Sequence, residues 1–299
     1  MRRYRTPLRY PGGKQRLTPF VAELLAANGL VGGHYVEPYA GGAGVAMELL
    51  LSGLVSHVHL NDSSPPIHAF WLSVRDDAEA MCRRIKDVQL SVEEWRKQRE
   101  ILRHPAEHSQ LDLGFSTLYL NRCNRSGALN GGVIGGLEQT GEWTMDVRFP
   151  RNELIHRVEA IAGVRTSISI RGMDAEQYIT EYVPDVPENT LVYCDPPYFA
   201  KSARLYLDHY RTEDHSRVAA VIQEQLQRKW LVSYDSAPEV IGYYRERRCF
   251  VYPLQYNARR VYKGEEVFVF SDDVELPAAS ALKNVDAAIR AYRAAASFA

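Results

Sequence analysis

The sequence predicts an α/β fold, a Rossmann-like doubly wound sheet interrupted by a mainly helical insertion. Three observations carry that prediction. Short apolar runs near residues 35, 58 and 191 each end on or beside a carboxylate (Glu37, Asp62, Asp195), as buried strands do when their carboxyl ends face a ligand. A glycine-rich loop, Tyr39-Ala40-Gly41-Gly42-Ala43-Gly44, stands between the first of these runs and a helical pattern. From residue 63 the strand–helix rhythm lapses, and it returns with a helix near 152–162 and a strand near 166–170.

Composition sets the outer limits. The 299 residues are 45% hydrophobic and 24% charged, the globular average, with a formal net charge of −1. An overall basic excess, common in nucleic-acid binders, is absent, so any such surface must be local. Cys82, Cys123, Cys194 and Cys249 are far apart, which excludes a sequence-local zinc knuckle or CxxC site and fits reduced thiols. No apolar segment follows the basic start (Arg2, Arg3, Arg5), and the longest apolar stretch, 45–55, is too short to span a bilayer, so a non-membrane, cytoplasmic protein without a secretory signal is expected.

In chain order, Leu8-Arg9-Tyr10-Pro11-Gly12-Gly13-Lys14 reads as a tight turn delivering a lysine to a helix over 15–28. Alone it is an ordinary turn or an anion-holding one. The first strand and glycine loop follow, then a helix to about residue 52. Glycines allow close backbone approach, and the helix start adds a partial positive charge. The pattern is neither GxGxxG nor a P-loop. The second strand, His57-Val58-His59-Leu60-Asn61-Asp62, places Asp62 about 20 residues past the loop, the offset at which an acid accepts from a ribose hydroxyl pair. Its histidines alternate with apolar residues and read as packed or solvent-facing rather than metal-bound. Residues 66–104 and 111–120 are helical in pattern, with Trp71, Val74, Ile85, Trp95 and Ile101 as core candidates.

The texture changes at Asn121-Arg122-Cys123-Asn124-Arg125-Ser126-Gly127 and on through Asn130, Gly131 and Gly132, with Arg148 and Arg151 beyond. Asn and Arg make bidentate contacts to base edges and phosphates, and Gly permits close approach, though a solvated loop fits the same composition. Asp174 opens a short helix, either as its cap or as a ligand contact. Leu191 to Cys194 is a buried strand that ends in Asp195-Pro196-Pro197-Tyr198. The prolines cannot extend a ladder, leaving a stiff loop with one carboxylate, unclaimed carbonyls and one ring. Taken alone, this loop is equally a strand stop. A helix from residue 212 carrying Val218, Ile222 and Leu226 follows, then a strand at 230–234 and a closing antiparallel pair near 250–254 and 266–270. Two basic clusters, Arg245, Arg247, Arg248 and Arg259, Arg260, Lys263, flank that pair. Residues 276–299 form an Ala-rich tail.

The ordered series Arg9-Tyr10-Pro11-Gly12-Gly13-Lys14, Glu37-Pro38-Tyr39-Ala40-Gly41-Gly42, Asn61-Asp62 and Asp195-Pro196-Pro197-Tyr198 resembles the Dam-type site-specific DNA adenine methyltransferases, over about residues 7–271. The resemblance implies an S-adenosylmethionine-dependent methyltransferase sheet at 1–62 and 165–275, a target-recognition insertion at 63–164 and the tail at 276–299. It implies S-adenosylmethionine as cofactor, double-stranded DNA as partner, no metal and no membrane. A restriction endonuclease is an optional partner, and a bacterial, archaeal or phage-encoded cytoplasmic enzyme is the expected setting. Carried over by position, Tyr10, Lys14, Glu37, Tyr39, Gly41, Asp62, Asp174 and Asp195 bind the methyl donor. Asp195, Pro196 and Tyr198 are catalytic, and Asn121, Arg122, Arg125, Asn130 and Arg148 bind DNA. The chain departs from the family pattern at Ala43, where a third glycine is common, at Ser64, and in the insertion after Asn130. An RNA or protein-amide methyltransferase, or a catalytically silent DNA-binding relative, shares much of this pattern.

Overall fold

The strands are β1 (His34–Glu37), β2 (His57–Asn61), β3 (Ile168–Arg171), β4 (Thr190–Cys194), β5 (Lys229–Asp235), β6 (Arg248–Asn257) and β7 (Val261–Phe270). They form one sheet in the order β3-β2-β1-β4-β5-β7-β6. The first five are parallel, and β7 enters antiparallel between β5 and β6. The computed structural model describes residues 5–9, 14–199, 211–257 and 261–277, with the backbone alone over 251–257 and 261–265. Tyr10, Arg259, Arg260 and the tail beyond residue 277 lie outside the described residues, as does the side chain of Lys263.

The helices follow from the same patterns. A 3-10 turn, Lys14–Leu17, precedes α1 (Thr18–Ala27), where one continuous helix from residue 15 is expected. Pro19 explains the offset: it lacks an N–H and fits only a helix's first turn, so it sits in the first turn of α1. The glycine loop leads into α2 (Gly44–Leu51). The connection from β2 to β3 holds α3 (Pro65–Asp76), α4 (Ala78–Asp87), α5 (Val92–Arg103), α6 (Gln110–Cys123) and α7 (Arg151–Ala162), so the insertion is mainly helical. Ser91 caps α5, and Ser109 with Asp112 forms a capping box on α6. A short α8 (Ala175–Gln177), α9 (Thr212–Gln225) and α10 (Pro238–Tyr243) complete the set.

Alternation along the parallel strands divides the core between the two faces of the sheet. Tyr35, Leu191 and Tyr193 pack with α1, α2 and the insertion, in one cluster that includes Trp71, Ile85, Trp95, Leu118 and Phe149. Val36, Val192 and Cys194 pack on the other side with Tyr178, Val218, Ile222 and Val240. Every residue of β4 is buried, as expected of a strand covered on both faces. The insertion shares its core with the seven-stranded sheet rather than enclosing one of its own.

His34, His57 and His59 group on one face at the amino end of β1 and β2. His34 Nδ1 lies 2.9 Å from His59 Nε2, while His57 meets Ser169 and His59 meets Tyr182, each at 2.9 Å. Burial lowers all three pKa values, so these rings are neutral packed groups at pH 7. Among the described residues no cluster is placed to hold a metal ion, and no helix is long and apolar enough to cross a membrane.

Candidate active site

The strand order reverses between β1 and β4, and at such a switch point the crevice beyond the carboxyl ends binds ligands. Glu37 ends β1, Asp62 follows β2 and Asp195 follows β4, so three of the acids singled out in the sequence stand along this edge. Asn61, fully buried, ties the edge together. Its Nδ2 donates to the Pro38 and Met173 carbonyls and its Oδ1 accepts from Met173 N–H, linking the ends of β1 and β3 across β2.

The glycine loop is held from below by two of those acids. Glu37 Oε1 accepts the Ala46 N–H at 3.2 Å, in the first turn of α2. Asp62 Oδ2 accepts the Gly41 N–H at 2.8 Å and its Oδ1 accepts the Ser64 N–H at 3.0 Å, joining the loop to the start of α3. Trp71 Nε1 donates to the Gly41 carbonyl, and Thr6 donates to that of Gly42. Gly41 (φ 44°) and Ala43 (φ 41°) both adopt the left-handed region. Glycine occupies that region freely, whereas alanine at Ala43 carries strain of about 1 kcal/mol. Tyr39 is half-buried against the second core face. Asp174 is exposed and accepts from the N–H groups of Glu176 and Gln177, so its capping role is realised; it follows β3, the strand at the sheet's edge.

Glu37 gives this loop a pH dependence. Burial raises its carboxyl pKa to about 8 from an ordinary 4.5. It stays protonated in the folded chain at pH values where an unfolded chain's glutamate has ionised. Its contribution to stability is therefore complete below about pH 4.5 and is lost as pH rises towards 8. Glu37→Gln keeps an acceptor for Ala46 and cannot ionise. Its stability relative to the unsubstituted chain should rise between pH 5 and 8 by on the order of a few kcal/mol, read by urea unfolding without methyl donor. A pH-independent difference would show that Glu37 does not titrate in this way.

Asp195 stands at the centre of the crevice, its side chain 25% exposed. Its Oδ1 accepts from Ser233 Oγ at 2.7 Å and lies 3.2 Å from Lys14 Nζ. Ser233 in turn meets Tyr193 OH at 2.8 Å. Lys14 Nζ also donates to Glu266 Oε2 at 2.6 Å and lies 5.3 Å from the centroid of the Tyr198 ring. Glu266 is fully buried on β7, and its other oxygen accepts from Tyr198 OH at 2.6 Å. The loop is anchored further on by Phe199 N–H, which donates to Asp235 at the end of β5. Burial pulls the Lys14 ammonium pKa down, but the carboxylates of Asp195 and Glu266 outweigh it and leave the value raised. Burial also raises the Asp195 carboxyl, against the opposing effect of Lys14 and with the help of Glu266.

The insertion residues divide into two groups. Asn121 is buried and clamps the segment before the glycine turn. Its Oδ1 accepts from Arg9 N–H at 2.7 Å, and its Nδ2 donates to the carbonyls of Arg9 at 2.6 Å and Gly127 at 2.9 Å. Arg122 is also buried, donating Nε and a terminal nitrogen to the Pro7 carbonyl. Burial, then the neighbouring charges of Arg157 and Arg9, pull its pKa down to about 9. These side chains bond the 5–9 segment and Gly127. Arg125, Asn130 and Arg148 are exposed, as are Leu137 and Trp143 on the same stretch. Of the later arginines, Arg248 donates to the carbonyls of Ser271, Asp272 and Val274, Arg247 pairs with Asp272, and Arg245 is exposed.

The model of the D12 class N6 adenine-specific DNA methyltransferase family matches residues 10–264. The chain belongs to that family. It is an adenine-specific DNA methyltransferase whose methyl donor is S-adenosylmethionine and whose substrate is DNA. Among solved structures the chain is similar to the rRNA methyltransferase aviRa from Streptomyces viridochromogenes, at 14% identity and a TM-score of 0.39, over 89% of this chain and 88% of that one. No curated protein matches.

The methyltransferase's own residues suit such a donor. Left-handed backbone at Gly41 shapes the loop after β1, and half-buried Asp62 stands beside it. Asp195 and Glu266 outnumber the single ammonium of Lys14, which favours a ligand carrying positive charge. Sequence reasoning missed Glu266 and Ser233. A lone polar residue inside an apolar strand pattern was the available signal for Ser233.

Proposed function

We propose that this methyltransferase acts on adenine within a specific sequence of double-stranded DNA, taking the base out of the duplex into the Asp195-Pro196-Pro197-Tyr198 loop. The observation that carries the reading is Asp195: a carboxylate at the switch point, open on one side to the crevice and already holding an N–H donor, Lys14 Nζ, at 3.2 Å. An exocyclic amine presents the same kind of donor. In adenine that amine is a poor nucleophile because its lone pair is delocalised into the ring. Hydrogen bonds from it to Asp195 and to the Pro196 carbonyl favour a pyramidal nitrogen and aim its lone pair for in-line attack. S-adenosylmethionine supplies an electrophilic methyl group on a positively charged sulfur. The protein's contribution is position and electrostatics, with no covalent enzyme intermediate. In a duplex the amine is paired and out of reach, so the base must leave the stack, and the Tyr198 ring gives it a surface.

In this reading Lys14, Glu37, Tyr39, Gly41, Asp62 and Asp195 surround the donor with Tyr10, and Asp174 contributes from the β3 side. Residues 1–62 and 165–275 form the catalytic unit, and 63–164 recognises the target. Arg125, Asn130 and Arg148 face DNA, while Asn121 and Arg122 position the 5–9 segment. The chemistry needs no partner endonuclease.

Comparing incorporation of labelled methyl into duplex DNA, single-stranded DNA, RNA and protein tests the substrate. Duplex DNA with N6-methyladenine as product is the expected outcome, and preferential labelling of RNA or protein would refute it. The insertion gives a second test. Arg125→Ala and Arg148→Ala should each reduce the slope of log affinity against log salt by about 1, leaving thermal stability nearly unchanged. Asn121→Ala should instead cost about 2–4 kcal/mol of stability with the slope intact, because it orphans buried main-chain groups. Equal salt slopes in all three variants would remove the distinction between contact and clamp.

A further inference from the structure

Resting on the reading of Asp195 as acceptor for the target amine, we infer that Glu266 is a positioning residue that holds Lys14 while Asp195 changes partner. The two carboxylates that share the Lys14 ammonium are placed very differently. Asp195 is 25% exposed and faces the crevice, whereas Glu266 is 0% exposed and lies behind it on β7. A substrate can reach the first and not the second. Pairing of β5 with β7 sets Glu266 opposite Asp235, at the end of the strand beside the loop. Tyr198 OH, 2.6 Å from Glu266 Oε1, fixes the rotation of that carboxylate so that Oε2 faces Lys14.

Lys14 is only 10% exposed. If Asp195 were its sole counter-charge, turning Asp195 to an entering amine would leave a buried ammonium unpaired, a strongly unfavourable state. Glu266 removes that obstacle. Its contact with Lys14 is already the shorter one, 2.6 Å against 3.2 Å. Asp195 can release the lysine without stranding it.

The test is a double-mutant cycle on full-length enzyme with unmethylated genomic duplex DNA, measuring kcat, KM for DNA and KM for S-adenosylmethionine by labelled-methyl transfer. Glu266→Gln keeps the shape and an acceptor for Tyr198 but removes the charge. It is expected to lower kcat about 10- to 100-fold, with a smaller change in KM for DNA. Lys14→Met lowers activity by itself, and Lys14→Met/Glu266→Gln is expected to fall no further, because without the ammonium Glu266 has no lysine to hold. Should Glu266→Gln not fold, comparing Lys14→Met with the double variant still decides the matter, since equal kcat values are required. A folded Glu266→Gln enzyme with kcat within twofold of the parent, or losses that multiply in the double variant, would overturn the inference. Asp195→Ala separates the two ideas. Inactive Asp195→Ala beside active Glu266→Gln sinks this inference alone, and active Asp195→Ala sinks the reading beneath it.

Discussion

Asp195→Ala is expected to reduce methyl transfer to adenine by about 10³-fold or more while leaving DNA affinity within a few-fold of the parent enzyme. The carboxylate sits at the β1/β4 switch point on a loop stiffened by Pro196 and Pro197, with Ser233 Oγ fixing one oxygen at 2.7 Å. In the proposed function it takes the N–H of the amine and orients the nitrogen, an interaction that matters most as the new bond forms, so its loss should appear in kcat rather than KM. Folding should survive, since the side chain is part-exposed and its removal relieves a carboxylate crowded against Glu266. Single-turnover transfer of labelled methyl to duplex DNA, with circular dichroism as the folding control, is the measurement. Turnover within tenfold of the parent would remove Asp195 from the chemistry.

If a base is taken into the loop as proposed, Tyr198→Ala should lower kcat/KM for DNA by about 10- to 100-fold, from the loss of roughly 1–3 kcal/mol of stacking. It should also cost stability, because the side chain is only 4% exposed and holds Glu266 through its hydroxyl. Truncating a buried aromatic costs about 3–5 kcal/mol. The two effects separate in Tyr198→Phe, which keeps the ring and loses only the bond to Glu266. Stacking predicts that the phenylalanine variant recovers much of the DNA-dependent loss, whereas equal losses in both variants would assign the effect to the hydroxyl.

The acidic edge at the switch point was legible because its parts announce themselves locally. A short apolar run closed by a carboxylate marks Glu37, Asp62 and Asp195, and the parallel sheet brings all three to one edge whatever lies between them in the chain. Glu266 gave no such sign. Its partners, Tyr198 and Lys14, are 68 and 252 residues away, and the strand carrying it reads as an ordinary antiparallel closure. The protein partners of the insertion's polar residues were equally illegible. Asn and Arg at 121 and 122 have the donors and acceptors that read bases, and the same atoms serve main-chain groups of Pro7 and Arg9, 112 to 115 residues distant. Residue type names the bond a side chain can make, and only the packing of α6 against the 5–9 segment decides with what. Asp174 shows a milder case, its cap geometry being local and readable from the chain.

Sequencing of genomic DNA from cells expressing the enzyme, read at single-molecule resolution for N6-methyladenine and its flanking bases, tests the central claim most directly. Adenine methylation confined to one sequence context, present with the parent enzyme and absent with Asp195→Ala, is the predicted result. No modified adenine in any context, or an unchanged pattern with Asp195→Ala, would contradict it.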